Sequence, residues 1–458
     1  MVHSMVESAS ERLSKIVKAY DIRGTYPDQF DADLAGRLGA ATARFLKDED
    51  PSVDRILVGR DMRPSGVELV SAFVAGVHGQ GLDTVDLGMI STDMLYFASG
   101  SLDAPGAVFT ASHNPAGYNG IKLCRRAAVP IGQDTGLSAI RDMAGGDIAV
   151  VGTGTASASD QLDAFADHVL SFIDPDALKP LKVIADTANG MGGLVVPVVF
   201  DRLPFDIEVM YAELDGTFPN HPADPIQPEN LRDLQARVLE TGADIGLAFD
   251  GDADRVFIVD ENANPVSGGL TTAMVAASVL DKHPGATVLH NLICTKAVPE
   301  VIAEKGGTSE RTRVGHSFIK QRMAETGAVF AGEHSGHYYF RENYRADSGL
   351  ITAIVILEML SKAGVPMSEM RKPFDRYAAS GEINTTVADQ DAVIAAVEAA
   401  YPDADTDHLD GLTVDNGTWW FNLRASNTEP LLRLNLEAPD ADAVAARVAE
   451  VQKVMGSV

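Results

Sequence analysis

The sequence predicts an α/β protein: three successive α/β domains with mixed, mainly parallel sheets, followed by a C-terminal α+β domain. A length of 458 residues favours three to four domains. Short apolar runs typical of buried strands alternate with helical patterns over most of the chain, which indicates sheets covered by helices. From about residue 376 the order changes to strand, helix, strands and a last helix. We therefore place the domains at 1–153, 154–264, 265–375 and 376–458.

Composition excludes several classes of protein. Apolar residues make up 45% and charged residues 22%, as in an ordinary globular protein. The net charge of −28 argues against broad binding to nucleic acid or to anionic membranes, which requires basic surface. Two cysteines cannot form a disulfide framework. With no run of transmembrane length and no apolar core of signal-peptide type near the start, the sequence predicts a cytoplasmic protein.

In the first domain a serine follows a predicted strand. The strand Gly106–Phe109 breaks into Thr-Ala-Ser-His-Asn-Pro at 110–115, and Lys122 lies on the returning strand. Ser112 is then held at the mouth of a sheet, beside His113, with a lysine at hand. Such a serine can carry a phosphoryl group, because phosphoserine is a dianion and the positive partners that it needs are nearby. The alternative, a plain strand–turn–strand with a solvated Ser–His pair, is favoured for this motif taken alone.

Other segments of the first domain support that loop. A strand beginning at Ile16 is predicted to end at a turn where Arg23 presents a guanidinium suited to phosphate; a surface arginine is the alternative. Beyond the strand Ile56–Val58, Ser65 and Glu68 predict a capping box that starts a helix to about Gly79. Between them, Arg60 and Arg63 are expected to brace the Ser112 loop rather than to bind phosphate.

The second domain carries an acidic loop. A buried strand, Asp244–Phe249, runs into Asp250, Asp252 and Asp254, which alternate with Gly251 and Ala253 before Arg255. Three carboxylates in a curled loop suit one hard divalent cation, and Mg²⁺ fits a site completed by phosphate oxygens. An EF-hand is excluded because Arg255 stands where that loop needs glycine, and Val256–Val259 reads as a strand. A solvated acidic turn is the alternative.

The third domain offers polar side chains after its strands. Lys296 follows the strand Ala286–His290, and the segment containing His316 leads into a helix whose N-terminal amides favour an anion. After the strand Ala328–Phe330, Glu333 can accept and Ser335 can donate hydrogen bonds to two neighbouring hydroxyl groups. His334 and His337 also have a zinc-like spacing, but no third His or Cys lies nearby.

The fourth domain contains a candidate anion site between two predicted strands. The site would offer hydrogen-bond donors to an anion: guanidinium groups, hydroxyls, a side-chain amide and backbone N–H groups. Its residues are Arg424, Ser426, Asn427, Thr428 and Arg433. A polar turn in a hairpin is the alternative for this segment alone. Since the chain contains no Gly-x-x-x-x-Gly-Lys-Ser/Thr loop, ATP is not expected as a phosphoryl donor.

Together these four loops resemble, in the same order, the phosphoserine, metal, sugar and phosphate loops of the α-D-phosphohexomutase superfamily. The resemblance spans residues 18–436, approximately, and includes the Tyr-Asp-Ile-Arg-Gly segment at 20–24 that lines the family's active site. His334 departs from the pattern, which often has an apolar residue there. The resemblance implies a central active-site cleft and a phosphohexomutase of the mannose/glucose branch, which interconverts hexose 1- and 6-phosphates through a phosphoserine and a 1,6-bisphosphate.

The resemblance also implies roles for individual residues. Ser112 would carry the phosphoryl group, with His113, Lys122 and Arg255 stabilising the transfer, and His337 would move the proton because imidazole titrates near neutral pH. Arg255 and Lys122 are weaker candidates for that proton transfer. Asp250, Asp252, Asp254 and Ser112 would hold Mg²⁺. The substrate-binding residues would be Tyr20, Arg23, Lys296, His316, Glu333, Ser335, Arg424, Ser426, Asn427, Thr428 and Arg433.

Several expectations depend on the branch. Thr110 and Asn427 resemble the mannose/glucose branch, and phosphoglucosamine mutase is the alternative. A catalytically silent sugar-phosphate sensor and a phosphoserine-linked hydrolase are further alternatives.

The cofactors expected are Mg²⁺ and a hexose 1,6-bisphosphate activator. The expected partner is a phosphosugar, with no nucleic acid and no membrane, and the protein would be a monomer or a weak homodimer.

Overall fold

A computed structural model describes residues 7–425 and 431–457. The chain divides into two compact units. The first unit contains the residues up to Val266 together with Ser335–Ser368, and the second contains Ser267–His334 and the residues from Glu369 onward. Every helix in the part of the chain that the structure describes is too short or too polar to cross a lipid bilayer.

The N-terminal part of the first unit is built on a six-stranded sheet. Its strands are β1 (Ile22–Thr25), β2 (Arg55–Arg60), β3 (Asp83–Met89), β4 (Gly106–Phe109), β5 (Tyr118–Cys124) and β6 (Ala156–Ala158). Their order across the sheet is β1-β5-β4-β2-β3-β6. The pairs β2–β4, β2–β3 and β3–β6 are parallel, whereas β5 runs antiparallel to both of its neighbours. The helices are α1 (Ala9–Ile16), α2 (Ala32–Glu49), α3 (Gly66–Gly79), α4 (Thr92–Ser101) and α5 (Leu137–Ala144).

The helices α2 and α3 lie against each other because small residues line their contact. A Cβ on Gly39 would stand 2.1 Å from the carbonyl oxygen of Phe73, and one on Gly76 would stand 2.1 Å from that of Gly36. Larger side chains would therefore force the two helices apart. Phe73 also packs edge-on against Phe109 of β4, with ring centroids 5.4 Å apart, so this core supports the strand that leads to Ser112.

Two local predictions for this region are wrong. Ala9–Ile16 forms α1, capped by Ser8 and Glu11, and the strand begins only at Ile22, so Arg23 and Gly24 lie within β1 rather than in a turn after it. The second error is the capping box at Ser65, whose side chain makes no capping hydrogen bond. It accepts instead from Asn119 Nδ2 at 2.8 Å, and Glu68 accepts from the hydroxyl of Tyr26. Tertiary partners have replaced the local ones.

The rest of the first unit contains a second sheet, ordered β11-β10-β9-β7-β8. Its strands are β7 (Lys182–Asp186), β8 (Asp206–Met210), β9 (Ile245–Phe249), β10 (Val256–Asp260) and β11 (Pro265–Val266). β7 is parallel to β8 and β9, whereas β10 is antiparallel to β9 and β11. The helices here are α6 (Leu162–Leu170), α7 (Gly192–Phe200) and α8 (Arg232–Thr241). The tight β9–β10 connection is the acidic loop.

The next stretch of chain contributes to both units. In the second unit, β12 (Thr287–Asn291) is parallel to β13 (Thr308–Thr312) and β14 (Phe330–Gly332). The accompanying helices are α9 (Gly268–Lys282), α10 (Ala297–Glu304) and α11 (His316–Thr326). In the first unit, β15 (Tyr338–Phe340) and β16 (Ala346–Asp347) form an antiparallel pair that precedes α12 (Gly349–Ala363). A short helix, α13 (Met367–Arg371), follows. The strand predicted from Ala328 begins two residues later than expected.

The C-terminal part of the second unit is an antiparallel sheet, ordered β17-β21-β20-β19-β18. Its strands are β17 (Ala378–Thr386), β18 (Asp405–Asp407), β19 (Leu412–Asp415), β20 (Trp420–Ala425) and β21 (Leu431–Ala438). Helices α14 (Gln390–Ala400) and α15 (Ala441–Met455) cover it. Mixed α/β sheets followed by an antiparallel sheet with two helices confirm the predicted fold class.

Candidate active site

Three strands of the first sheet bring Ser112, Lys122 and Arg23 to one region. β4 ends at Phe109, three residues before Ser112, and Lys122 lies opposite Val108 on the antiparallel β5. Arg23 of β1 in turn lies opposite Gly120 of β5. The strand-and-return predicted around the serine is therefore confirmed, and the sheet register explains how distant residues meet.

The serine loop has a strained backbone that a buried arginine supports. Ser112 has φ of 51°, a left-handed conformation that residues other than glycine rarely adopt. Arg63 is fully buried and pairs with Asp61 at 3.1 Å. Its guanidinium also donates to three backbone carbonyls of the loop, those of Ser112 (2.9 Å), Asn114 (2.6 Å) and Pro115 (2.8 Å), and to that of Tyr118 at the start of β5 (3.1 Å). The predicted bracing role of Arg63 is confirmed.

The acidic loop touches the serine loop directly. It connects β9 to β10, in which Phe249 pairs with Val256, so the two ends of the loop are fixed by the hairpin. A Cβ on Gly251 would stand 2.4 Å from the carbonyl oxygen of Ser112. Only glycine permits this approach, which explains the residue between Asp250 and Asp252 in structural terms.

The three aspartates of this loop form a buried group with oxygens that lie within 4.8 Å of one another. Asp250, Asp252 and Asp254 are at most 1% exposed. Lys122 Nζ donates to Asp252 Oδ2 at 2.7 Å and to Asp254 Oδ2 at 2.6 Å. Burial opposes the charge of Lys122, yet the two carboxylates raise its pKa well above the usual value. Burial likewise opposes ionisation of Asp252, but Lys122 lowers the pKa of Asp252.

This group fits a divalent cation. Within residues 7–425 and 431–457, neither Asp252 Oδ1 nor Asp254 Oδ1 has a hydrogen-bond partner, although both atoms are buried. Unsatisfied buried carboxylate oxygens are costly unless something positive meets them. Oxygen donors from carboxylates are also what Mg²⁺ and Ca²⁺ accept.

The hydroxyl of Ser112 lies beside the aspartates. Ser112 Oγ donates to Asp250 Oδ2 at 2.8 Å and lies 3.2 Å from His113 Nδ1. Burial raises the pKa of Asp250, and Asp252 and Asp254 act in the same direction against Arg255. Burial also lowers the pKa of His113 to about 2, helped by Arg255 and Arg23. The imidazole beside the serine is therefore neutral and offers a hydrogen bond rather than a charge.

Arg255 and His337 are brought together by the backbone. Residue 255 forms an isolated antiparallel bridge with residue 337 at the start of β10. Arg255 Nε donates to Asp250 Oδ2 at 2.8 Å. His337 Nε2 lies 3.6 Å from Asp254 Oδ1, and its Nδ1 lies 3.1 Å from Ser335 Oγ. Both predicted catalytic side chains therefore contact the three-aspartate group, and Ser335 contacts His337.

Arg23 reaches the serine loop, and Tyr20 lies close to it in sequence. Arg23 Nη1 donates to Asn114 Oδ1 at 2.6 Å, and Nη2 pairs with Asp21. Tyr20 is partly buried in a bend two residues before β1. Arg23 thus lies at the expected loop, but its present partners are protein side chains.

In the second unit, the predicted site residues Glu333 and Lys296 have different protein partners. Glu333 is 2% exposed and accepts from Asn291 Nδ2 and from the backbone N–H of Gly315. His316 begins α11, and its side chain is outside the described part of the structure. Lys296 donates through Nζ to Asp415 at 3.1 Å and to the carbonyl of Gly417 at 2.8 Å.

Arg424 and Arg433 are paired residues of the antiparallel strands β20 and β21. Glu382 of β17 lies 3.8 Å from Arg424 Nη2 and 3.7 Å from Arg433 Nε, and Asp410 lies 3.7 Å from Arg424 Nη1. The predicted residues Ser426, Asn427 and Thr428 lie outside the described residues. The two arginines are therefore adjacent, as an anion site needs.

Zinc coordination by His334 and His337 gains no support. The two groups of side chains that could hold a metal within the described residues are Asp250–Asp252–Asp254 and Asp254–His337–Asp347, and neither includes His334. His334 Nδ1 instead contacts Asn291 Nδ2 at 2.9 Å.

Sequence reasoning missed a polar cluster at the start of α4. Thr92 Oγ1 donates to Asp252 Oδ2 at 2.6 Å, and Ser348 Oγ donates to Asp93 Oδ2 at 2.6 Å. Burial raises the pKa of Asp93 to about 7. The signal was present: Ser91, Thr92 and Asp93 follow the parallel strand β3, at the same end of the sheet as the serine loop.

Comparisons with known sequences define the class of this protein. Four family models match successive parts of the chain: Phosphoglucomutase/phosphomannomutase alpha/beta/alpha domain I (residues 14–146), domain II (163–265), domain III (268–377) and the C-terminal domain (382–454). Phosphohexose mutases of Xanthomonas campestris pv. campestris are 42% identical, covering 96% of this chain and 98% of the relative. A phosphomannomutase of Salmonella montevideo is 38% identical, with the same coverage.

A solved structure shows the same architecture. A phosphoglucomutase/phosphomannomutase family protein from Burkholderia thailandensis superposes with a TM-score of 0.90 at 31% identity, covering 99% of this chain and 98% of that one. The chain belongs to the phosphoglucomutase/phosphomannomutase family of the α-D-phosphohexomutase superfamily. Membership supports a hexose-phosphate mutase activity of the isomerase class. The family uses a metal ion, and the three aspartates are compatible with one.

Proposed function

We propose that this protein interconverts hexose 1-phosphate and hexose 6-phosphate, with mannose, glucose or both as the sugar, through a phosphorylated Ser112 and a hexose 1,6-bisphosphate intermediate. The observation that carries the proposal is the position of Ser112 Oγ, 2.8 Å from Asp250 in a buried group of three aspartates. A phosphoryl group on that oxygen would add oxygen ligands to those that the three aspartates offer a cation.

The reaction requires two phosphoryl transfers in opposite directions. Phospho-Ser112 gives its phosphoryl group to the free hydroxyl of the bound sugar phosphate, so the bond to Ser112 Oγ breaks as the bond to the sugar oxygen forms. The sugar hydroxyl loses its proton to a base of the protein. The bisphosphate then turns over, and its other phosphoryl group moves to Ser112 Oγ: the bond to that sugar oxygen breaks as the bond to Oγ forms, and the sugar oxygen takes up the proton held by the base. The protein ends phosphorylated, as it began.

The residues around Ser112 have distinct tasks in these steps. Lys122 neutralises Asp252 and Asp254, which lets three carboxylates stand near a phosphoryl group. His113 would hydrogen-bond the transferring group as a neutral imidazole. Arg255, which donates a hydrogen bond to Asp250, would stabilise negative charge on the transferring phosphoryl group. Mg²⁺, held by Asp250, Asp252, Asp254 and the phosphorylated Ser112, would offset charge on the transferring group.

His337 is the proposed proton acceptor. If His337 Nδ1 donates to Ser335 Oγ at 3.1 Å, then Nε2 is the nitrogen that accepts a proton. The Asp254 carboxylate, 3.6 Å away, would stabilise the resulting imidazolium. Substrate-binding roles are proposed from family membership and side-chain chemistry for Tyr20, Arg23, Lys296, His316, Glu333, Ser335, Arg424, Ser426, Asn427, Thr428 and Arg433.

Further properties are proposed on the same basis. A hexose 1,6-bisphosphate would act as activator by phosphorylating Ser112. We also propose the four domains bounded at 153, 264 and 375, which the four family matches support. A cytoplasmic location fits the two cysteines, which are buried and free. A monomer or weak homodimer is the proposed oligomeric state.

The test is a coupled assay with mannose 1-phosphate and glucose 1-phosphate, Mg²⁺ and a trace of hexose 1,6-bisphosphate. We expect turnover of at least one sugar, and a loss of about 10³-fold or more in Ser112→Ala because the phosphoryl carrier is removed. Ser101→Ala is the matched control, since the hydrogen bond from Ser101 Oγ to a helical carbonyl is long, at 3.4 Å. Full activity of Ser112→Ala would overturn the proposal.

The same assay addresses the sugar. Comparable kcat/KM values for the two 1-phosphates would support use of both mannose and glucose. A ratio beyond about 10³, roughly 4 kcal/mol, would favour a single sugar. Turnover of neither sugar by a protein that carries phosphate on Ser112 would direct the assay to glucosamine 6-phosphate.

A further inference from the structure

Thr92, the first residue of α4, holds Asp252 at two points. Its hydroxyl donates to Asp252 Oδ2 at 2.6 Å, and its backbone N–H donates to the Asp252 carbonyl oxygen at 3.1 Å. Both residues are fully buried. The side chain and the backbone of one aspartate are therefore fixed by one residue 160 positions away in the sequence.

These contacts orient the carboxylate. Asp252 Oδ2 accepts from Thr92 Oγ1 and from Lys122 Nζ, at 2.6 and 2.7 Å. With two donors on Oδ2, rotation of the carboxylate would break both hydrogen bonds. Oδ1 thus points away from both donors, and within residues 7–425 and 431–457 it has no hydrogen-bond partner. Metal-ligating carboxylates are commonly aligned in this way by a partner on the other oxygen.

The two donors have different consequences for the site. Lys122 brings a positive charge and is shared with Asp254, so it contributes to the charge balance of the whole group. Thr92 brings no charge, and its hydroxyl proton is donated to Asp252. A change at Thr92 therefore tests orientation of Asp252 separately from charge.

Thr92 is itself rigidly placed. Ser91 caps α4 by accepting from the backbone N–H of Met94, and the hydroxyl of Ser91 donates to Asp93. Asp93 also accepts from Ser348, the residue that caps α12. Two helix starts in the first unit thus fix the backbone on both sides of Thr92. The N–H groups at the start of α4 also favour a carboxylate electrostatically.

We propose that Thr92 is a positioning residue for the cation: it turns Asp252 so that Oδ1 is presented to the metal. The inference rests on the cation site of the proposed function. It is distinct from a purely structural role, in which Thr92 would only join α4 to the acidic loop and its loss would lower stability without changing metal affinity.

The experiment measures Mg²⁺ binding directly, by titration calorimetry and by Mn²⁺ electron paramagnetic resonance. The Ser112→Ala background is used, because it carries no phosphoryl group and needs no turnover. Thr92→Val removes the hydroxyl at nearly constant volume, and we expect Mg²⁺ to bind about 10–100-fold more weakly, as for other partners of metal ligands. Thr92→Ser keeps the hydroxyl, and binding should stay within about threefold of the parent value.

Thr272→Val is the matched control. Thr272 is equally buried in α9 of the second unit, and its hydroxyl donates to a helical carbonyl at 2.8 Å. It should leave Mg²⁺ affinity unchanged. Should Thr92→Val fail to fold, Thr92→Ala is titrated in its place, with the midpoint of thermal unfolding in EDTA as the check on folding.

The outcomes separate this inference from the function on which it rests. Equal Mg²⁺ affinity in Thr92→Val and the parent would overturn the positioning role and leave the mutase proposal intact. Weaker binding in both Thr92→Val and Thr92→Ser would also overturn it, because the hydroxyl would not be the cause. Absence of Mg²⁺ binding in the parent would overturn the cation site itself, and this inference with it.

Discussion

Two charged regions of this protein are built in opposite ways. Around Ser112, the aspartates of the acidic loop are at most 1% exposed, and Lys122 holds two of them at 2.6–2.7 Å. In the C-terminal sheet, Arg424 and Arg433 have side chains that are 14% and 34% exposed, and their acidic neighbours lie 3.7–3.8 Å away. The first region holds its charged groups by short contacts, whereas the second keeps its cations only loosely paired.

The difference follows from what each region would have to do. A buried charge that loses its partner costs several kcal/mol, so groups of the first region must stay in one arrangement. That suits phosphoryl transfer, in which charge must be met by groups already in place. Loosely paired, partly exposed arginines cost little to rearrange, which suits a phosphate that binds and leaves. Substitutions in either region therefore test this contrast.

The largest effect is expected for Lys122→Met, which removes the cation of the first region and keeps the shape of its side chain. Asp252 and Asp254 would be left buried without their counter-ion, so the free energy of unfolding should fall by about 3–5 kcal/mol. We expect kcat to fall by about 10²-fold or more. Chemical unfolding in EDTA and the coupled mutase assay measure the two effects.

Mg²⁺ provides the sharper readout for Lys122. If the ammonium and the cation neutralise the same carboxylates, Mg²⁺ should raise the unfolding temperature more in Lys122→Met than in the wild type. The control is Lys305→Met, whose partner Asp281 is 2.7 Å away but 64% exposed, and which should cost less than about 1 kcal/mol. An equal loss of stability in the two variants would contradict the contrast between buried and exposed pairs.

A second effect concerns the pH dependence of stability. Burial raises the pKa of Asp93 to about 7; the hydroxyls of Ser348 and Ser91 lower it, and Asp254 and Asp347 raise it. In the unfolded chain this aspartate titrates near 3.8, so the folded state holds the proton more tightly. The corresponding stability is present below about pH 4 and lost as the pH rises towards 7, by about 4 kcal/mol at most.

Asp93→Asn should remove this dependence, because the amide stays neutral. Urea unfolding at several values of pH between 5 and 8 would show a smaller loss of stability in the variant than in the wild type. The same slope in both proteins would mean that Asp93 does not change its protonation in that range, and that the buried region tolerates its charge.

A third effect tests the open region. Arg424→Met should raise KM for the sugar phosphate about 10–100-fold with little change in kcat, since a phosphate contact present in both ground state and transition state changes binding alone. Stability should change by less than about 1 kcal/mol, because Glu382 and Asp410 remain partly solvated. Arg322→Met, at an exposed helical site, should leave KM unchanged. A large loss of stability in Arg424→Met would place this region with the first one.

Structure that depends on local sequence patterns was predicted better than structure that depends on distant residues. The bounds of β4 and the end of α3 agree with the predictions, since each element is one periodic run between clear end signals. Predictions failed where a distant residue took over a local role, as Asn119 did at Ser65. Local patterns cannot show such competition.

For the site, the spacing of residues indicated which side chains carry the chemistry, but not which distant residues hydrogen-bond to them. Three aspartates around one glycine predicted a cation loop, and Ser112 was predicted at the mouth of the sheet. The donors to Asp252 are Lys122 of β5 and Thr92 at the start of α4, 130 and 160 residues away, and only the tertiary fold brings them there. Thr92 was not predicted because a threonine at a helix start is common and has an ordinary capping explanation.

The smallest effect is expected for Glu382→Gln, which asks whether the loose pairing in the open region opposes substrate. Glu382 lies within 3.8 Å of both arginines, so it competes with a phosphate for them. If Arg424 and Arg433 bind the phosphate as proposed, the variant should lower KM about two- to fivefold at low salt, the size expected of exposed pairs. The gain should shrink at high salt, because salt screens the attraction between Glu382 and the two arginines. Glu450→Gln, which changes a charge paired with Arg447 elsewhere in this unit, is the control. A KM that rises in Glu382→Gln would instead make the carboxylate a support that aligns the two guanidinium groups, and the open region would then resemble the buried one in design.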